Sequence, residues 1–459
     1  MPVESPAASE PWRARPADRP SDARPLGCRS RVPLRPSRTE SRTTMLEELH
    51  AKSEARARPP GGWADDAVVR RRSAVFLSTV LATFLVASSA PTPLYRVYQA
   101  SWHLSSGTVT VVYGVYCLSV LVALLTVGAL SDHVGRRPVI GTALALEALS
   151  MLLFLQAGGV TSLILARTLQ GLATGAATSA LGAALLDVTK RWGPLFVSIA
   201  PLIGMALGTI GTSLLMDLIP AHLNSVYTLL FSALAAQMLG LAFLPESRPP
   251  RPGAWLSLRP RIRAPRSSRR ALLVTAPVFV AVWALGGFYL SLGPDLVQGI
   301  TGSASSAADG LVVSLLTASA VPAVLLTRHA DAGRTALVGS LLLTTGVAVT
   351  LLAAHRDSAA ALYLGTAVAG AGFGPAFQGG VRLVTANVLA TERASLMAAI
   401  YTITYTSMCV PVLVTGLLVG EYGLLHCTLF FGIFVMALSL TPFAALGKFS
   451  AHISSPYIK

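Results

Sequence analysis

Twelve apolar runs of membrane-spanning length follow one another from Ser73 onward, separated only by short polar breaks. They lie near 73–97, 106–130, 137–157, 160–186, 193–219, 223–244, 271–294, 307–327, 333–354, 358–385, 394–420 and 423–446. A bilayer's hydrocarbon layer is about 30 Å thick and takes about 20 residues of helix to cross. No water reaches its interior, so a spanning segment must satisfy its own backbone hydrogen bonds, as a helix does. The runs therefore predict an all-α membrane protein with twelve transmembrane helices. With 53% hydrophobic and 12% charged residues in 459 positions and a mean hydropathy of +0.61, the chain is far from soluble-domain values.

The formal net charge of +15 does not point to nucleic acid, because of where the arginines lie. Most occupy the first 72 residues or the stretch from Arg248 to Arg270. With a cytoplasmic tail, the cytoplasmic connections hold Arg136, Arg137, Lys190, Arg191, the Arg248–Arg270 cluster, Arg328, Arg334 and Arg393, and the outer ones hold Arg96 and Arg356. Positive-inside asymmetry then predicts a multi-pass protein of the cell membrane with both termini cytoplasmic. Anionic lipid accounts for the basic clusters. Cys28, Cys117, Cys409 and Cys427 are scattered without a CxxC or a histidine cluster, so neither a disulfide nor a metal site is expected. There is no nucleotide loop, catalytic triad or cofactor motif, and no enzyme activity or cofactor is expected.

The expected organisation is a disordered basic tail over 1–72, a first six-helix bundle over 73–244, a basic linker over 245–270, a second bundle over 271–446 and a cytoplasmic tail over 447–459. Residues 1–44 read either as genuine chain or as a misassigned start before Met45. The linker, with Trp255, Leu256 and Leu258 among arginines, reads as a tether or as an interfacial stretch. Two halves are also visible as a repeat. Gly135-Arg136 recurs as Gly333-Arg334 after 198 positions, and Gly171 and Gly175 recur as Gly370 and Gly374 after 199.

Between the second and third runs stands Gly128-x-Leu130-x-Asp132-x-x-Gly135-Arg136-Arg137. The pattern resembles the signature loop of the major facilitator superfamily (MFS) of secondary transporters. That resemblance, which covers roughly residues 70–446, implies two pseudo-symmetric six-helix bundles that alternate access to a site between them. Gly128, Asp132, Gly135, Arg136 and Arg137 are then expected to form a conformational switch. In it Gly135 makes a left-handed turn, the arginines sit at the headgroups and Asp132 faces a helix of the other half. The second copy is eroded, with Ala330 where Asp132 maps and Asp331 one place off.

Leu163-x-x-x-Arg167-x-x-Gln170-Gly171-x-x-x-Gly175 resembles a second family motif, which implies a cavity-lining helix with Arg167 in coupling or substrate binding. A cation two turns inside a span costs on the order of 3 kcal/mol unless it is partnered. Glu147 is the acid in the middle of a span, about 15 Å from Arg137 along the helix. It reads either as a proton carrier or as a neutral packing acid. Gln170, Gln378 and Arg382 complete the candidate coupling or cavity residues, although Arg382 is near enough to a helix end to snorkel. Pro91 and Pro93 in the first span, and Pro294 in the seventh, mark matched helix breaks. Gly171, Gly175, Gly370 and Gly374 are expected to be helix-packing positions, as are Gly204, Gly208 and Gly211. The last three keep the glycine spacing of drug exporters without their prolines.

Together these readings predict a monomeric secondary transporter, with protons and a small, rather apolar organic molecule as its partners. Export is the expected direction. Uptake of an organic solute and a transport-inactive sensor are the alternatives.

Overall fold

The computed structural model describes residues 67–219, 224–247, 249–260, 262–302, 305–389 and 392–453. The expected tail over 1–66, its Met45 alternative and Cys28 lie outside the described residues. What remains is helical: α1 (Ala67–Ser89), α2 (Pro91–Trp102), α3 (Ser106–Thr126), α4 (Ser131–Val134), α5 (Arg136–Leu155), α6 (Val160–Val188), α7 (Gly193–Leu218), α8 (Ser225–Leu241), α9 (Ala254–Ser257), α10 (Arg266–Ser291), α11 (Gly293–Thr301), α12 (Ser306–Thr327), α13 (Ala332–Arg356), α14 (Ala359–Thr385), α15 (Arg393–Tyr422) and α16 (Leu424–Ile453).

Eleven segments among the described residues are long and apolar enough to cross a membrane, with α1 and α2 joined as one of them. The sixth expected span, 223–244, is reduced to the 17 residues of α8, about 26 Å of helix, because the chain turns over 242–244. Helix α1 begins at Ala67, so Arg70, Arg71 and Arg72 belong to it rather than to a tail. Helix α16 runs past the expected end at 446.

Glycines set the packing within each half. A Cβ on Gly171 or Gly175 would lie 2.5 and 2.6 Å from the Tyr116 and Val120 carbonyl oxygens, so α6 rests directly on the α3 backbone. Gly370 and Gly374 repeat this between α14 and α12, against Leu316, Ala320 and Val324. Gly204 and Gly208 bring α7 onto α1 at Ala82 and Val86. Gly211 departs from the expectation: it faces open space and packs nothing. Without a hydrophobic drive between helices in lipid, such close contacts supply the association through dispersion.

The halves α1–α8 and α10–α16 meet where α3 packs on α15 and α7 on α12. Both seams are lined by small or hydroxylic groups. The Thr209 and Ser314 hydroxyls are 2.7 Å apart, Ser314 donates to the Ala206 carbonyl at 2.9 Å, and Gly416 sits over Thr110. Below, the end of the bundle holding residues 128–137 is the loop end, and the opposite one the far end.

Candidate functional site

The deepest polar structure begins with a helix break. Pro91 and Pro93 carry no backbone N–H, so α1 ends at Ser89 and the Ala87 carbonyl, four residues before Pro91, loses its helical donor. Gln170 fills the vacancy, its amide Nε2 donating to that carbonyl at 3.0 Å. The adjacent Ser88 carbonyl accepts from Arg167 Nη1 at 2.9 Å. The proline break thus creates the acceptors that hold α6's polar residues inside the half.

Arg167 is completely buried. Its Nε and Nη2 donate to the Tyr95 hydroxyl at 2.9 and 2.6 Å, and Nη1 also donates to Gln170 Oε1 at 2.6 Å. The guanidinium lies 5.2 Å from the Tyr116 ring centroid and 5.7 Å from that of Phe154, close enough for cation–π attraction. Gln170 passes the chain onward: its Nε2 also donates to Glu147 Oε1 at 3.1 Å, and Thr174 makes a longer contact of 3.5 Å with Oε2. Glu147 is fully buried too. Glu147, Gln170, Arg167 and Tyr95, expected separately or not at all, are therefore one continuous network, with an amide between its acid and its cation.

The second half carries the neutral counterpart. Thr366, 199 positions after Arg167, is fully buried, and its hydroxyl lies 3.0 Å from that of Tyr289. Thr350 lies 3.5 Å from the same hydroxyl. Arg382 is not drawn into this group. It reaches the loop end, where Nη2 donates to the Ala330 carbonyl at 2.5 Å and Nη1 contacts that of Thr327 at 3.5 Å. Gln378 Oε1 is buried without a partner.

At the loop end, Gly135 has φ +106° and ψ 157°, a conformation open to glycine rather than the left-handed helical turn expected. Arg136 is 5% exposed, which corrects its expected place among headgroups. It binds Asp132 at 2.7 Å, Asp187 at 3.3 Å and the Ser131 hydroxyl at 2.5 Å. Carboxylates at this site neutralise it, so burial leaves no charge uncompensated. Arg137 donates to the Ala242 carbonyl at 3.0 Å. Glu246 accepts from the backbone N–H groups of both Arg136 and Arg137 at 2.9 Å, capping the first turn of α5. The linker joins in where Arg251 N–H donates to the His133 carbonyl at 2.7 Å. Asp132 stays half exposed.

Asp187 and Glu246 were not singled out in the sequence as partners of this loop. Their signal was topological: each closes a span at the loop end, at the end of the fourth and just past the sixth. In the second half Asp331 caps α13, accepting from Arg334 N–H at 2.9 Å. That backbone hydrogen bond holds its carboxyl below the usual carboxylate range.

Where the halves meet, aromatic side chains gather. Trp283 lies 5.3 Å from Phe377 and 5.5 Å from Tyr405 between ring centroids, with Tyr113, Tyr116 and Met205 facing it from the first half. The Trp283 indole N–H and the Tyr113 hydroxyl are buried without partners. Side-chain hydrogen bonds between the halves gather at the far end. They include Thr92 to the Leu290 carbonyl at 3.0 Å, Ser106 to Asp295 at 3.2 Å, and Ser305 and the Ala307 N–H to Asp217 at 3.3 and 3.0 Å.

The sequence model of the Major Facilitator Superfamily matches residues 74–410, and the chain belongs to that family. Solved structures share the fold. A bacterial homologue of the human lysosomal transporter Spinster, in an inward-facing and unoccupied conformation, aligns with TM-score 0.69 and 12% identity over 85% of this chain and 100% of its own. A mutant of the nucleoside transporter NupG aligns with TM-score 0.63 and 14% identity over 81% and 99%. The human organic anion transporter MFSD10 aligns with TM-score 0.61 and 17% identity over 84% and 100%. Among curated protein sequences, none is significantly similar to this chain.

Proposed function

We propose that the chain is a proton-coupled exporter of small, rather apolar organic compounds, acting as a monomer in the cell membrane with its loop end cytoplasmic. The carrying observation is Glu147, wholly enclosed and tied through Gln170 to Arg167. An enclosed carboxylate near the middle of a span is costly to ionise, so its charge state answers to which side admits water. Protonation of Glu147 removes its pull on Gln170, whose amide also holds the Ala87 carbonyl at the break between α1 and α2. A proton there bears directly on the helix that must move.

The cargo class follows from the junction. Trp283, Phe377, Tyr405 and Met205 offer ring faces and a thioether rather than fixed charge, and the unpartnered Trp283 and Tyr113 donors suit a ligand with an acceptor atom. The export direction rests on the glycine spacing at Gly204 and Gly208. A panel of toxic compounds on cells lacking or overproducing the protein tests this reading. Protection by overproduction supports export, sensitisation supports uptake, and no change in either strain favours a sensor.

A further inference from the structure

Three carboxylates lie across the far-end closure, and among the described residues one cation faces them. Arg96 of α2 donates through Nη1 to Asp309 Oδ2 of α12, joining the halves. Asp295 of α11 accepts from Ser106 and, at 3.5 Å, from Gln99. Asp217 of α7 takes the Ser305 hydroxyl and the Ala307 N–H. Asp309 is 2% exposed, and its second oxygen, Oδ1, is buried without a partner. The charged and titratable groups acting on it are Arg96, Asp295, Asp217 and the Tyr363 hydroxyl of α14. The two further acids leave this cluster with an excess of negative charge over its one arginine.

We propose that Asp309 is a second proton-binding site, separate from Glu147, and that protonation at its free Oδ1 from the far-side water releases Arg96 and lets the far end open. The proton adds to Oδ1 and no covalent bond breaks; what is lost is the charge on the oxygen pair that holds the guanidinium. Oδ1 receives no hydrogen bond that would stabilise its charge, which makes it the oxygen open to a proton. Asp295 and Asp217 favour protonation by repulsion, and Arg96 opposes it. The assignment rests on the alternating-access reading, in which the far end must open once per cycle.

The test uses full-length protein in lipid vesicles, with Cys28 replaced by serine and spin labels on cysteines introduced at the exposed positions Ser101 and Gln298. The inter-label distance is followed against pH. In the otherwise unsubstituted protein the distance should increase as pH falls, with a single midpoint. Asp309→Asn, which mimics the protonated acid, should hold the longer distance at every pH. Arg96→Gln removes the guanidinium that the carboxylate holds and should likewise keep the longer distance at every pH. Asp295→Asn and Asp217→Asn, each removing a repelling charge, should lower the midpoint.

A distance independent of pH in the unsubstituted protein, or Asp309→Asn titrating with its midpoint, would overturn the proposal. Should Asp309→Asn fail to fold, Arg96→Gln decides alone, a distance that still follows pH overturning the proposal. Transport of a cargo in the same vesicles separates the two readings: a protein that titrates as expected but moves no cargo keeps this site and loses the export function.

Discussion

The two halves solve one packing problem with different chemistry. Each sets a tyrosine from its first spanning segment, Tyr95 or Tyr289, against the same register position of its fourth, Arg167 or Thr366. In the first half that position is a guanidinium with a glutamic acid beyond it. In the second, three hydroxyls suffice. The fold itself therefore does not need the charges. A buried cation and acid add cost where neutral groups hold the same helices, and the asymmetry confines the Glu147–Arg167 network to the first half.

The comparison breaks most severely at Arg167. Arg167→Ala leaves Gln170 Oε1, the Ser88 carbonyl and the Tyr95 hydroxyl without their common partner, and Glu147 without the nearby positive charge. It should cost about 3–5 kcal/mol of stability, seen as a large drop in thermal midpoint of the purified protein, and should abolish transport. Thr366→Ala, its counterpart, should cost about 1 kcal/mol and spare transport. Equal losses at the two positions would remove the asymmetry. Arg167→Lys should also fail in transport, since an ammonium does not reproduce the planar fork that reaches Tyr95, Ser88 and Gln170 together.

Glu147→Gln is expected to be mild for folding and severe for function. Glutamine keeps an acceptor for Gln170, so the thermal midpoint should barely move. Proton-driven transport should stop while downhill exchange of cargo continues, because exchange needs no change of protonation. Substrate-induced proton movement in proteoliposomes reads this directly, and unchanged proton flux would return Glu147 to a packing role.

Smaller again is the contrast between the tyrosines. Tyr95→Phe removes the acceptor of two charge-assisted bonds and should cost about 2 kcal/mol. Tyr289→Phe removes one neutral contact within hydrogen-bonding distance and a longer one, and should cost about 1 kcal/mol or less. Paired thermal melts check the order.

Much of this arrangement was legible beforehand because bilayer spans are written in composition. The apolar runs, the register from Gly171 to Gly370 and the breaks at Pro91 and Pro294 all come from local rules about length, small residues and missing N–H groups. Partners were harder. Arg167 and Glu147 are visible as charges in the wrong solvent, but nothing in their spacing says that Gln170 bridges them, because that depends on how α5 turns about its axis against α6. Arg136 shows the same limit from the other side. A terminal arginine is ordinarily taken to seek headgroups, and only the convergence of α4, α5 and α6 shows that Asp132 and Asp187 bury it. Asp217, near the end of the fifth run, holds the start of α12 from the other half, a pairing that no local rule announces.

The smallest expected effect concerns the two copies of the loop. In the first, Asp132 belongs to a buried arginine that Asp187 also holds, and the acid comes from the loop. In the second the polarity is reversed: the arginine, Arg382, comes from the fourth helix of its half, and the loop supplies only the Thr327 and Ala330 carbonyls. Asp331, displaced by one position, caps α13 and has no such partner. Asp132→Asn should therefore insert at normal abundance yet transport poorly, because a charge-assisted contact that differs between states is lost. Asp331→Asn should leave transport unchanged, since asparagine caps a helix about as well as aspartate. Initial rates at matched abundance in vesicles compare them. Full activity of Asp132→Asn would show that the loop motif persists here for the turn at Gly135 and the burial of Arg136, and that switching lies elsewhere.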